Sequence, residues 1–409
     1  MDNGTNADIV VIGGGILGAS IAWHLARAGV RDVLVVERNA VGSGATSRSA
    51  GLVSRGRTDP DIFAMVGRTA AAIADLESSL GEPVGFHRTG SLRLAEAPET
   101  AEGLQRMHAL LTAGGVAAHF IDAEKAHDVV PWLDARRARS ILHVPDDGYV
   151  DAYMLTAAYA RAARAAGATF QTGVAVTGLV RDGDRVVGVE TDRGRVGCRW
   201  TIDAAGAWAG PVAGWLGLSL GATPVRSHYW ITAPDPRLPR DHPVVSLPDA
   251  RAYLRPEVGG LLMGVQEPTS HTFDARRLPA DVAEMSLTGD DDWDLLIAHA
   301  ATLKGYIPGL DDFAFAHHIA GLATYTPDGR FLIGPYPGID GFLVAAGCCG
   351  TGVSVSGGIG LAVADIVLGR EASVELERFR PDRFGPFDPY AAAFMAQCAA
   401  ARGNKGRRA

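Results

Sequence analysis

The stretch from Asp8 to Arg38 constrains this chain more than any other. Asp8-Ile9-Val10-Val11-Ile12 is an apolar run of strand length, and Gly13-Gly14-Gly15-Ile16-Leu17-Gly18 after it satisfies G-x-G-x-x-G. An apolar-periodic segment follows, with Leu17, Ile21, Leu25 and Ala28 on one helical face and Gly29 at its end. Val33-Leu34-Val35-Val36 is a second strand, closed by Glu37. Strand, glycine turn, helix, strand and acid, in that order, predict a βαβ unit that holds a dinucleotide. Gly13 permits the tight turn, Gly15 lets backbone approach a pyrophosphate, and Gly18 lets helix and strand pack closely. The free N–H groups and positive dipole end of the helix attract phosphate. Glu37 is placed to accept hydrogen bonds from ribose hydroxyls.

At 409 residues the chain is long enough for about two domains. Its formal charge of −8 and scattered Lys and Arg argue against a nucleic-acid partner. The basic end, Arg402 to Arg408, reads as a solvated, frayed tail. Four cysteines, Cys198, Cys348, Cys349 and Cys398, show no metal or disulfide spacing, so a reducing cytoplasm is the expected location. No metal site is expected, and His317-His318 read as structural. Gly341 to Ala364 carries no charge and is long enough to span a bilayer, but its glycines suit a continuous helix poorly. It divides instead into a strand (342–346), a glycine turn (347–352) and a buried helix (353–368), which argues against a membrane partner.

Further along, Gly42 to Gly51 is a small, polar loop of a kind that usually serves function. The patterning predicts a helix over 61–80, a strand over 86–95 bent at Gly90, and a largely helical region over 101–139. A helix over 154–166, strands over 169–172, 174–181 and 185–191, and a strand over 199–203 come next. Strands over 226–232, 252–255 and 260–265 precede a helix over 281–303. This order predicts a nucleotide domain assembled from separated pieces, 1–85, 148–223 and 320–370. Segments 86–147 and 224–319 would form a second domain around an antiparallel sheet, and 371–409 a C-terminal extension and tail. The ligand site is expected where the two meet.

Taken together, these motifs resemble a known family. Gly13 to Gly18 with Glu37, the loop Gly44 to Gly51, the element Asp203-Ala204-Ala205-Gly206-Ala207-Trp208, and Tyr325-Thr326-Pro327-Asp328-Gly329 with Gly347 to Gly352 are similar to the FAD-dependent D-amino acid oxidase superfamily. The resemblance is to its glycine oxidase, sarcosine oxidase and dimethylglycine dehydrogenase branch. It implies an α/β plus α+β protein, with a discontinuous Rossmann-like FAD-binding domain and a second domain centred on an antiparallel sheet. It also implies FAD, and oxidation of a C–N bond in an amine or amino acid.

Carried over residue by residue, Gly13, Gly15, Ile16, Leu17 and Gly18 would face the FAD pyrophosphate, and Glu37 with Arg38 the adenosine ribose. Ala45, Thr46, Ser47, Ser49, Ala50 and Gly51 would follow the pyrophosphate and ribityl chain. Val176 would sit near the adenine, with Ala205, Gly206 and Trp208 also close to the cofactor. Gly347, Gly350, Thr351 and Gly352 would form the turn at the flavin ring. Where relatives attach flavin covalently through histidine or cysteine, this chain has Arg48 and Gly321, so noncovalent FAD is expected. Where sarcosine oxidases have a lysine it has Ser354, and where glycine oxidases have a carboxylate-binding arginine it has Ala323.

The chemistry implied is hydride delivery from a substrate carbon to flavin N5, followed by hydrolysis of the imine. The turn at Gly350-Thr351-Gly352 is expected to open a helix whose N–H groups stabilise charge on the reduced flavin. His228 is a candidate to tune substrate protonation, since histidine titrates near neutrality. Tyr229 lies beside it. Tyr253 and Arg255 alternate on one strand, and Arg255 is a candidate carboxylate ligand. Arg48, Arg55 and Arg57 follow the flavin loop and are further candidate anion contacts, with solvated surface positions weighed above that role for Arg55 and Arg57. Cys348-Cys349 reads as small residues lining a turn. A small amine or amino acid, with O2 or an electron carrier as acceptor, are the expected partners. The rival readings are an FAD-binding subunit of a larger amine dehydrogenase or oxidase, and a flavin monooxygenase or reductase using NAD(P)H. The chain shows no second G-x-G-x-x-G, which argues against the latter.

Overall fold

The computed structural model describes residues 5–405. Its organising element is a six-stranded sheet in the order Thr169–Thr172, Val33–Glu37, Ile9–Ile12, Trp200–Asp203, Phe342–Ala346, Leu332–Pro335. All neighbours run parallel except the last pair. The continuous apolar runs have the expected cause, because both faces of the sheet are covered. Ile9, Val11, Val33 and Val35 pack into one core with the helices Ile16–Arg27, Pro60–Leu80, Ala152–Ala165 and Ser356–Val367. Val10, Ile12, Leu34 and Val36 face the other way, against Val186, Val189 and Val196 of a four-stranded sheet. The helix Pro60–Leu80 starts where Asp59 accepts the N–H groups of Asp61 and Ile62, and ends at Gly81.

The second domain is an eight-stranded sheet in the order Phe315–Tyr325, Thr223–Thr232, Gly260–Val265, Ala252–Glu257, Val244–Leu247, Ser91–Ala95, Ser140–Val144, His119–Ile121. It is antiparallel apart from the pairing of Val244–Leu247 with Ser91–Ala95. Leu92, Leu94, Val245, Leu254 and Met263 build its core with helix Asp291–Leu303. This two-domain α/β architecture agrees with the fold class read from the sequence.

Several elements differ. The expected strand over 86–95 is two strands in two sheets, Phe86–His87 and Ser91–Ala95, broken at Gly90 with φ +83°. The expected helical region over 101–139 holds the helices Pro98–Ala113 and Ala123–Val129 with a strand, His119–Ile121, between them. The helix expected over 281–303 starts at Asp291. The helix expected from Val353 starts at Ser356, after a four-residue turn. No helix among the described residues is long and apolar enough to cross a membrane. The expected frayed tail is instead a helix, Ala392–Gly403, in which Arg402 is buried. Gly406 to Arg408 lie outside the described residues.

Candidate active site

The glycine turn is shaped by close backbone contact. Gly13 has φ +102°, and a Cβ there would lie 2.7 Å from the Ala204 carbonyl oxygen. A Cβ at Gly18 would run into the Gly13 carbonyl oxygen. These contacts bring the end of the first strand, the first helix and Ala204-Ala205 together, and only hydrogen fits between them. The Glu37 carboxylate folds over the turn and accepts the Gly14 N–H at 2.7 Å and the Asn39 N–H at 2.7 Å. Thr46 Oγ1 accepts the Ile16 N–H at 3.1 Å, tying the polar loop to the helix N-terminus.

Beside Glu37, the Arg38 guanidinium lies over the Trp208 ring at 4.3 Å. Arg38 Nε and Trp208 Nε1 are buried without a hydrogen-bond partner, so this end of the groove still has donors to offer. Val174 donates its N–H to the Glu37 carbonyl at 3.1 Å, which brings the start of strand Val176–Asp182 to the same end. Asp203, at the end of its strand, is fully buried, and burial raises its carboxyl to about 8.

A cavity of about 240 Å³ runs from Ile16 and Thr46 along Arg48 to Leu52, and on to Tyr229 and Tyr253 of the antiparallel sheet. One wall is the bend Cys348, Gly350 to Ser354. Gly350 has φ +67°, and a Cβ there would lie 2.5 Å from the Tyr325 hydroxyl. Of the residues read from the sequence, Ile16, Ala45, Thr46, Ser49, Ala50, Gly51, His228, Tyr229, Gly350, Thr351 and Gly352 line this cavity. Gly13, Gly15, Leu17, Gly18, Glu37, Arg38, Ser47, Val176, Ala205, Gly206, Trp208, Gly347 and Arg255 are not part of its wall. The Ser47 hydroxyl is exposed and turns back to the Ser43 carbonyl at 3.1 Å, away from the cofactor path expected for it. Gly347 packs against Thr326 and Leu332.

The candidate catalytic residues need correction. The His228 side chain has no exposed surface, shares a hydrogen bond with His318 Nε2 at 3.2 Å, and lies 3.5 Å from Glu267. Burial, with Arg402 and Arg226 nearby, pushes its imidazole down to about 3, so it does not titrate near neutrality. His228, Asp292 and His318 place ligand-type atoms within 4.8 Å of one another. Both Asp292 oxygens, however, already hold Arg226, at 3.0 and 2.7 Å, so the cluster is an ion-pair network. Arg255 donates to the Ala50 carbonyl at 2.7 Å and the Pro256 carbonyl at 2.7 Å, and pairs with Glu257 at 2.6 Å. It is a strut for the polar loop, not a carboxylate ligand. Thr351 donates its N–H and its hydroxyl to the Cys348 carbonyl, at 2.9 and 2.8 Å, and closes the bend. Tyr229 does face the cavity, and burial raises its phenol to about 12.

The residues at the expected covalent positions meet directly: a Cβ on Gly321 would touch Arg48 Cβ at 2.8 Å. Neither is a nucleophile that could link flavin. Cys349 is a free, buried thiol raised to about 12 by burial, in keeping with a packing role.

Beyond Arg48 and Arg57, which the sequence offers as candidate anion contacts, the charge of the cavity was not legible. Arg48, Arg57, Arg93, Arg251, Arg402 and Lys405 all line the cavity, and among the described residues no carboxylate does. Arg57, expected in solvent, reaches Ser354 Oγ at 3.4 Å. Arg402 donates to Ser227 at 3.0 Å, Ser270 at 2.9 Å and Glu267 at 3.2 Å. Lys405 Nζ donates to the Gly350 carbonyl at 2.7 Å, and burial lowers it to about 8. One signal was local: Arg93 interrupts the apolar residues Leu92, Leu94 and Ala95 of its strand. Nothing local marks Arg402 or Lys405.

The profile of the FAD dependent oxidoreductase family matches residues 8–366. The chain belongs to this family. It is 31% identical over 387 residues to the mitochondrial dimethylglycine dehydrogenase of Rattus norvegicus, covering 93% of this chain and 45% of that relative. It is 30% identical to the 4-methylaminobutanoate oxidase (formaldehyde-forming) of Paenarthrobacter nicotinovorans, covering 92% and 46%. The chain thus spans less than half the length of these two relatives. Against the glycine oxidase of Geobacillus kaustophilus it is 29% identical and covers 91% of this chain and 96% of that one. The crystal structure of L-proline dehydrogenase from P. horikoshii superposes with a TM-score of 0.82 at 26% identity, covering 93% of this chain and 98% of that one. FAD is the family's cofactor, and the glycine turn fits it. The turn leaves no room for a Cβ at Gly13 or Gly18, and Arg38 and Trp208 hold unmatched donors beside Glu37.

Proposed function

We propose that this flavoenzyme oxidises a C–N bond of a secondary or tertiary amine or of an amino acid, giving an imine that water hydrolyses. The observation that carries this reading is the shared cavity, which joins the flavin-side bend at Gly350–Ser354 to Tyr229 and Tyr253 of the antiparallel sheet. The 4-methylaminobutanoate oxidase and dimethylglycine dehydrogenase relatives support it by name.

Gly13, Gly15, Gly18 and the helix N-terminus would hold the pyrophosphate, and Glu37 and Arg38 the ribose. The loop Ala45–Gly51 and the bend Gly350–Gly352 would flank the ring system. FAD, when bound, accepts the hydride and electron pair of the oxidised C–H bond. The chain's own residues supply position and exclusion of water. Tyr229 and Tyr253, whose phenols burial raises, keep their protons at neutral pH and would wall the substrate side. Among the described residues no carboxylate lines the cavity, and no side-chain general base is required if the amine binds as the neutral species. O2 or an electron carrier would take the electrons onward. FAD would be held noncovalently, since Arg48 and Gly321 occupy the expected attachment positions.

The test is an anaerobic screen of amines and amino acids against purified protein, read as bleaching of the flavin. Bleaching by at least one amine is expected. Bleaching only by another substrate class, or only by NAD(P)H, would overturn the reading. Acid precipitation should release all the flavin into the supernatant; colour retained in the pellet would contradict noncovalent binding.

A further inference from the structure

We infer that Gly264 sets the size limit of the cavity on its substrate side. It lets the Tyr253 ring lie down against the eight-stranded sheet, and the room this clears admits a bulky group beside the oxidised C–N bond. The inference rests on the C–N oxidation reading above and narrows its substrate class to amines that carry such a group.

Gly264 lies in strand Gly260–Val265, directly opposite Tyr253 of strand Ala252–Glu257. On the other side Trp230 pairs with Met263, so Tyr229 is next in register to Gly264. The glycine therefore sits between two tyrosines, in one row on one face of the sheet. Both tyrosines line the cavity, and Gly264 does not. The Tyr253 ring is the reason. A Cβ at Gly264 would run into Cε1, Cζ and the hydroxyl oxygen of Tyr253. The ring thus fills the space in which a side chain at 264 would stand.

Backbone conformation does not call for glycine here. Gly264 has no positive φ, unlike Gly259 before the same strand, at φ +82°. Glycine inside a strand weakens it and marks a close approach by something else. At Gly264 that approach is made by a ring, not by backbone. A strand side chain ordinarily stands roughly perpendicular to its sheet. Upright, the Tyr253 ring would project into the cavity, toward the bend Gly350–Ser354. Reclined on Gly264, it leaves that space open. Ser246, which pairs with Tyr253 on its other side, and Ser227 and Ala323 are small residues on the same wall. A side chain at 264 would meet the far end of the ring, which turns about two side-chain bonds. The ring would therefore yield by rising into the cavity, and the strands would stay in place.

The test uses FAD-loaded protein and does not depend on turnover. Neutral amides stand in for the amine, because their delocalised nitrogen lone pair prevents oxidation to an imine. N,N-dimethylacetamide, N,N-diethylacetamide and N-benzyl-N-methylacetamide are titrated while the flavin absorption spectrum is followed. The wild type is expected to bind all of them saturably. Gly264→Ala should weaken the benzyl amide by about 10-fold or more and leave the dimethyl amide within about 2-fold. Adding Tyr253→Ala to Gly264→Ala removes the ring and should restore the benzyl amide. Tyr253→Ala alone and the double variant should bind the whole series alike, since Gly264 acts only through the ring. That comparison holds even where Gly264→Ala by itself does not fold. A merely structural seat for the ring predicts a lower melting temperature in Gly264→Ala with no dependence on amide size.

An equal loss for every amide in Gly264→Ala, no loss for any, or a wild type that binds only the dimethyl amide would overturn the size limit. So would a double variant in which the benzyl amide stays weak. If the amides follow the expected order, yet no amine bleaches the flavin, the size limit stands and the C–N oxidation reading fails. If amines bleach the flavin and Gly264→Ala treats N-methyl and N-benzyl amines alike, C–N oxidation stands and the size limit fails.

Discussion

At the glycine turn, recognition rests on backbone. Gly13 and Gly18 clear a path, and the Glu37 carboxylate and Thr46 hydroxyl hold N–H groups within one βαβ unit and its following loop. The cavity, by contrast, is walled by charged side chains: Arg57, Arg93, Arg402 and Lys405, brought from three distant segments of chain. A backbone cradle tolerates little, because each missing side chain is a steric requirement. A charged wall is assembled by tertiary packing, and its charge is set by which partners folding supplies.

The sharpest way to break this contrast is Gly18→Val. A branched side chain directed at the Gly13 carbonyl should cost about 3 kcal/mol or more and yield protein that is insoluble or colourless. Soluble, fully yellow protein would show that the cradle is softer than its contacts indicate.

Arg226→Met probes the support behind the cavity. It takes the guanidinium from buried Asp292 and leaves buried Glu267 with Arg402 as its remaining arginine, and should destabilise by about 3–5 kcal/mol in chemical denaturation. Replacing Asp292 with Asn in the same chain should recover part of that loss.

Asp203→Asn sharpens the cradle side through pH. The Asp203 carboxyl is raised to about 8 in the folded protein, above its ordinary carboxylate range. The folded state therefore binds a proton that the unfolded state has released. Stability is undiminished below about pH 4 and falls as pH rises through 8. The variant should flatten this slope and gain on the order of a few kcal/mol at pH 8, seen as melting temperature against pH. A parallel shift at every pH would contradict the assignment.

Lys405→Met is the mildest test. It removes one hydrogen bond, to the Gly350 carbonyl, and should cost about 1 kcal/mol. FAD content should remain full, with only a small change in flavin affinity. Complete loss of flavin would show that the C-terminal segment is part of the cofactor cradle.

Much of the cradle was legible because its signals are local. A glycine spacing, an apolar run and an acid at a strand end all act within a few residues, and the family resemblance extended this to the bend at Gly347–Gly352. The corrections share a cause. His228 and Tyr229 are neighbours on one strand, so they point to opposite faces, and the sequence does not say which face meets the cavity. Arg255 alternates correctly with Tyr253, yet the Ala50 carbonyl and Glu257 consume its donors. Arg57 lies in a polar loop of ordinary appearance, and only the sheet across from it makes it a cavity residue.

From its sequence alone, the chain determined that a parallel βαβ unit opens the fold, that this unit takes a dinucleotide, and that a late glycine bend returns to it. These follow from short-range sterics and hydrophobic periodicity, which residue order specifies directly. Tertiary structure alone decided which arginines are buried, which are neutralised, and that the C-terminal helix brings Arg402 and Lys405 to the cavity. Electrostatic character depends on distances between segments far apart in the chain, and those distances exist only once the chain has packed.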